Sequence, residues 1–122
     1  MGWSWWGLQL DDGTNLNAVV IRDTRTGAIR KATATHDRAV YALRAKSVRS
    51  WDSPMGVRYP VAWELEAGPL KLKIEPMHPD REHPVLFGQE AIWEGPVTVS
   101  GSVSGRGYQE LVGYPKDSRV PR

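Results

Sequence analysis

Leu70-Lys71-Leu72-Lys73-Ile74-Glu75 alternates an apolar and a charged side chain at every step. Successive side chains of an extended strand point to opposite faces. This stretch therefore buries Leu70, Leu72 and Ile74 on one face and leaves Lys71, Lys73 and Glu75 in water on the other. A strand that is dry on one side only belongs to an antiparallel sheet. Just before it, Gly68-Pro69 predicts a tight turn, and Tyr59, Val61, Trp63 and Leu65 alternate on the far side of that turn.

The same period recurs in both directions, and helical periodicity does not. Toward the N-terminus, strands are predicted at Trp3–Leu10, Leu16–Arg22, Ile29–Thr35 and Ala39–Arg49. They are separated by turns at Asp11-Asp12-Gly13, Asp23–Gly27 and His36-Asp37-Arg38, and Ser53-Pro54-Met55-Gly56 forms a loop. Toward the C-terminus, Pro76–Gly88 is rich in proline, histidine and charge and reads as a surface loop with room for one helical turn. Ala91–Val103 is a further strand, Gly105-Arg106-Gly107 a turn, and Tyr108–Tyr114 the last strand. The polar tail Pro115–Arg122 is expected to fray. About eight strands on short turns predict an all-β fold with residues 1–122 as one domain, a meander sandwich or an antiparallel up-and-down barrel, and the barrel is favoured because closure removes exposed edges.

Composition narrows the chemistry. The 122 residues include no cysteine, which excludes disulfides and thiolate metal sites and suits a cytoplasmic protein. No stretch approaches the ~18 apolar residues of a membrane-spanning helix, and the N-terminus lacks the basic start and apolar run of a signal peptide. The net charge of +2 is spread along the chain without a basic stripe, which argues against nucleic acid. Six tryptophans and four tyrosines against one phenylalanine predict packed β surfaces and aromatic pocket walls.

Motifs of phosphate binding, nucleophile elbows and paired helical metal ligands are absent. His78, Asp80, Glu82 and His83 could be grouped as metal ligands, but Pro76, Pro79 and Pro84 break the backbone that would aim them, and the group reads as a solvated loop. Neither a metal nor a cofactor is expected. Glu94 and Glu110 are the candidate acids, because each lies in a strand beside aromatic residues. Pointed inward, such a carboxyl would be desolvated and its pKa raised. Alternation sets Glu94 opposite Trp93, Val97 and Val99, however, which leaves a structural role open, with Arg22 as a partner for either glutamate.

Four sets of residues together resemble a known family: Trp6-Gly7-Leu8-Gln9-Leu10-Asp11-Asp12-Gly13; Ser50-Trp51-Asp52-Ser53-Pro54 with Gly56, Tyr59-Pro60 and Trp63; Trp93-Glu94-Gly95 with Gly101; and Gly107-Tyr108, Glu110-Leu111 and Gly113-Tyr114. In this order they resemble the C-terminal barrel of the carotenoid 1,2-hydratase and AttH-like family of lipocalin-like proteins, from Trp3 to about Tyr114. The resemblance implies a lipocalin-like barrel and hydrophobic, isoprenoid- or polyketide-like compounds as ligands. Trp51, Tyr59, Trp63, Trp93 and Tyr108 are then the expected ligand-binding residues, with the three tryptophans converging on one side of the barrel. It also implies, as the alternative, a cofactor-independent hydratase or cyclase in which a carboxylic acid protonates an alkene; a structural or assembly module is a third reading. Because family members carry two barrels in tandem, a homodimer is expected here, a second copy covering the surface of the partner barrel.

Overall fold

The computed structural model describes residues 1–84 and 91–116. Its strands are β1 (Gly2–Leu10), β2 (Asn15–Arg22), β3 (Ile29–His36), β4 (Ala39–Asp52), β5 (Arg58–Ala67), β6 (Leu70–Pro76), β7 (Glu82–Pro84), β8 (Ala91–Gly101) and β9 (Gly105–Val112). Each of β1 to β5 pairs antiparallel with the next, β9 pairs with both β8 and β1, and β6 pairs with β8 from Leu72↔Gly101 to Pro76↔Val97. These pairings close an eight-stranded barrel of β1–β6, β8 and β9. Closure satisfies strand edges that an open sheet would leave to aggregate.

The Leu70–Glu75 stretch follows its alternation: Leu72 and Ile74 are buried, Leu70 beside the turn is only partly so, and Lys71, Lys73 and Glu75 are exposed. Two expectations are corrected. First, the connection after β6 is not all loop. Glu82–Pro84 pairs with Ala91–Trp93 and continues along β8 where β6 leaves off. The two charged or ionisable residues and the proline of β7 hide the period-two signal, yet without them the start of β8 would have an open edge. Residues 85–88, the rest of the expected loop, lie outside the described residues, as does 117–122 of the expected frayed tail. Second, Gly105-Arg106-Gly107 is strand rather than turn, paired with Leu10, Gln9 and Leu8. Glycine stands there because a Cβ on Gly105 or Gly107 would collide with the carbonyl oxygen of Gln9 or Gly7.

The interior is graded along the barrel axis. The lower end, at the turns after β1, β3, β5 and β8, is filled by aliphatic side chains including Leu8, Leu10, Leu16, Leu43, Leu65, Leu72 and Val99. Trp6 and Trp63 meet edge to face above them, with ring centroids 5.1 Å apart. Gln109 is fully buried beside them. Its Oε1 accepts from Trp6 Nε1 at 2.6 Å and its Nε2 donates to the Val61 carbonyl at 3.0 Å. A buried carboxamide bonded on both ends pins β9 to β1 and, across the barrel, to β5. The upper end, where β2, β4 and β9 finish, is aromatic and polar.

Candidate functional site

Alternation brings a chain of contacts to the upper end. Arg22, last in β2, and Ser4 of β1 turn inward, and Tyr114 follows Gly113, whose φ of 85° redirects the backbone after β9. Arg22 lies 4.1 Å from the centroid of the Tyr114 ring and donates to Ser4 Oγ at 3.2 Å and to the Val112 carbonyl at 2.7 Å. Ser4 Oγ and Tyr114 OH share a hydrogen bond of 2.9 Å. Tyr59 of β5 meets Tyr114 edge-on at 6.1 Å and stacks on Trp51 of β4 at 6.3 Å, with 19° between the latter two planes. Tyr59 OH donates to Glu82 Oε2 at 2.8 Å. The upper end thus carries a carboxylate and a guanidinium at the two ends of an aromatic path.

The electrostatics follow from this geometry. Burial raises the pKa of the Tyr114 phenol, with Arg22 and the hydrogen bonds to Ser4 and Arg22 opposing the shift. Tyr114 therefore holds its proton through the physiological range and remains a donor. Arg22 shares its charge with a ring face, a hydroxyl and a carbonyl, and no carboxylate accepts from it among the described residues. Aromatic faces of this kind favour a cation or an unsaturated apolar skeleton.

Of the residues singled out by sequence, Trp51 and Tyr59 stand in this cluster. Trp63 and Trp93 are interior but serve other contacts. The Trp63 indole N–H donates to the Pro60 carbonyl at 2.6 Å, and that of Trp93 donates to the Pro79 carbonyl at 2.7 Å, tying the proline-rich connection to the barrel. Among the described residues no ring contact joins Trp51, Trp63 and Trp93 to one another, and each makes its own attachment. Tyr108, Glu94 and Glu110 lie on the outer face. Glu94 and Glu110 are register partners across β8 and β9, and Glu110 accepts from Trp3 Nε1 at 2.8 Å. The inward positions of these strands belong to Trp93, Gly95 and Val97, and to Gln109 and Leu111. Arg22, expected beside one of the two glutamates, is bonded instead to Ser4 and Val112. Among the described residues the carboxylate that reaches this aromatic cluster is Glu82, half-buried and bonded to Tyr59, which the sequence reading set aside with its loop; a three-residue strand gives too short a period to announce its facing. No group of three or more potential metal ligands exists among the described residues, and no described helix is long and apolar enough to cross a membrane.

Comparison with known proteins fits this architecture. Residues 1–114 match the family model described as AttH-like. A candidate AttH from Nitrosomonas europaea superposes with a TM-score of 0.86 at 31% identity, over 94% of this chain and 39% of that one. Kievitone hydratase from Nectria haematococca superposes with a TM-score of 0.77 at 25% identity, over 94% and 40%. The chain thus spans about two-fifths of the length of these solved structures. No curated protein sequence matches it significantly.

Proposed function

The chain belongs to the AttH-like family, and from that premise we propose that its barrel binds a hydrophobic ligand, isoprenoid- or polyketide-like, at the upper end. The observation that carries this reading is the aromatic path of Trp51, Tyr59 and Tyr114, bounded by Glu82 and Arg22. The rings offer flat apolar contact, and the few polar groups among them fix orientation, the usual division of labour in a small-molecule site. Farnesol is a suitable probe. Tryptophan quenching and native mass should register a one-to-one complex, weakened at least about tenfold by Trp51→Ala and by Tyr59→Phe far less, since Phe keeps the ring. Absence of binding to farnesol and to a polycyclic aromatic polyketide alike would overturn the reading.

Glu82 supports a second reading, hydration of an alkene. Its carboxyl group in the acid form gives a proton to one alkene carbon. The cation on the other carbon faces Tyr59 or Trp51, and water adds there and returns a proton to the carboxylate. Atoms balance without a cofactor. The acid in this reading is Glu82 in place of Glu94 and Glu110, which stand on the outer face, away from the aromatic cluster. Incubation with a prenylated phenol should give a product heavier by one water, and Glu82→Gln should abolish turnover while retaining binding. Turnover that survives Glu82→Gln rejects it.

We also infer that a second copy covers the outer row formed by Ile92, Val112, Trp3 and Ile21. These residues are mutual register partners on four adjacent strands, with Trp3 itself 37% exposed.

A further inference from the structure

The outer face of the barrel below that row is built differently. Pro96, Tyr108, Gly7 and Asn17 are register partners on β8, β9, β1 and β2, and the next outward row is Thr98, Arg106, Gln9 and Asn15. At the centre stands Gly7. The Trp5 indole leans over it, so that a Cβ at position 7 would come within 2.6 Å of the ring. The missing side chain makes room for that ring, and beside it lies a cleft of about 530 Å³ lined by Gly7, Tyr108, Pro96 and Met77. Met77 is held there by its N–H, which donates to the Pro96 carbonyl at 3.0 Å.

Three carboxamides, Gln9, Asn15 and Asn17, and the guanidinium of Arg106 line the same cleft. None of the four side chains has a hydrogen-bond or ion-pair partner among the described residues. The lining contains no carboxylate, so Arg106 is its one charge. A lipid-like occupant would strip water from three amides and return nothing. A polyhydroxylated ring would pair with them, since each amide presents both donor and acceptor to adjacent hydroxyls, and its C–H face would lie on the half-exposed Tyr108 ring. Arg106 adds a preference for a carboxylate, which it can grip with two parallel N–H bonds. A single cation does not make a polyanion track.

We propose that this outer cleft is a carbohydrate-binding site, distinct from the barrel interior, that takes sugar rings and favours acidic ones such as hexuronates. The test is an amide-correlation NMR titration of the full chain with tetragalacturonate and with maltotetraose as probes. The expected result is saturating shifts confined to Gly7, Asn17, Arg106 and Tyr108, with tetragalacturonate at least about tenfold the tighter. Tyr108→Ala and Asn17→Ala should each weaken both probes about tenfold. Arg106→Gln should bring tetragalacturonate to the level of maltotetraose and leave maltotetraose unchanged. Dispersed spectra confirm that each variant is folded, which the surface positions of these side chains favour. Absence of localised shifts with either probe up to about 10 mM, a weak-affinity ceiling, overturns the proposal. So do shifts that persist unaltered in Tyr108→Ala and Asn17→Ala. Equal affinity for the two probes in the unmutated chain removes the acidic preference.

Discussion

Gln109 shows how a single side chain can be decisive and hard to see. In β9 the outward positions are Arg106, Tyr108, Glu110 and Val112, and the inward ones are Gly105, Gly107, Gln109 and Leu111. Judged by apolar content the outward set is the richer, so alternation alone gives no reason to turn Gln109 inward, and attention falls on its neighbours Tyr108 and Glu110. The facing is set from elsewhere, by the Trp6 indole that needs an acceptor and the Val61 carbonyl that needs a donor. Replacing Gln109 by Ala leaves two buried polar groups unpaired, each costing about 1–3 kcal/mol. Denaturant unfolding should therefore show Gln109→Ala destabilised by roughly 3 kcal/mol, and a loss below about 0.5 kcal/mol would mean that water or a neighbour replaces the amide. Asp23 governs a different property. It accepts from the Arg25 N–H and then from the Arg30 guanidinium, which hold its pKa below the usual carboxylate value; Thr14 does the same to Asp12 and Arg49 to Glu75. A carboxylate depressed by folding stabilises above its unfolded pKa, and that contribution is lost as pH falls through the folded value. Melting temperature should be level near neutrality and fall below about pH 4. Asp23→Asn should make that acid limb shallower, and an unchanged slope would exclude Asp23 from it.

At the scale of elements, turns and half-buried strands were legible because their physics is local. Gly13, Gly27, Gly56 and Gly68 take the positive φ that tight reversals demand. What was not legible was non-local: β7 exists because β8 has an edge to cover, and Gly105 and Gly107 are strand residues because β1 passes so close. The β3–β4 hairpin carries a cost that sequence did not announce. Its two-residue loop, Asp37-Arg38, has φ of 48° and 77°, with His36 and Ala39 paired across it. Both central residues of such a turn need positive φ, which favours Asn-Gly. Arg38 pays the Cβ–carbonyl clash of the left-handed region, roughly 1–2 kcal/mol. Arg38→Gly should stabilise the chain by up to about 1 kcal/mol, after the greater freedom of glycine in the unfolded chain is offset. Gly107→Ala should do the reverse. Its Cβ would meet the Gly7 carbonyl and Leu8, so β9 must move away from β1, at a cost of about 2–3 kcal/mol. Thermal melts of the two variants should move in opposite directions; a stable Gly107→Ala would mean that the β1–β9 pairing yields more readily than its register suggests.

For the whole molecule, closure accounts for the core but leaves the outside of the barrel unequal. The lower rows are polar around the Gly7 cleft, whereas the row nearest the upper end runs Ile92, Val112, Trp3 and Ile21 without a polar residue, and Trp5 and Val19 lie just below it. These side chains are half-buried by one another, and Trp3 spends its N–H on Glu110. A contiguous apolar face on an otherwise charged surface marks a contact with another protein surface. Two-fold pairing of identical faces is the simplest occupant, because one self-complementary patch then serves both subunits. The face also carries its own gate on assembly: Glu94 and Glu110 stand side by side next to it, so a misaligned copy would bring four carboxylates together and be repelled. Sedimentation at about 50 µM, a concentration at which a standard-sized interface persists, should find a dimer. Trp3→Glu adds a charge at the centre of the row and removes the indole that bonds Glu110, and it should give a monomer with the melting profile otherwise preserved. Trp3→Phe keeps the apolar contact and should remain dimeric. A monomer in the unmutated chain, or a dimer indifferent to Trp3→Glu, would assign this row to some other partner and leave the barrel itself unchanged.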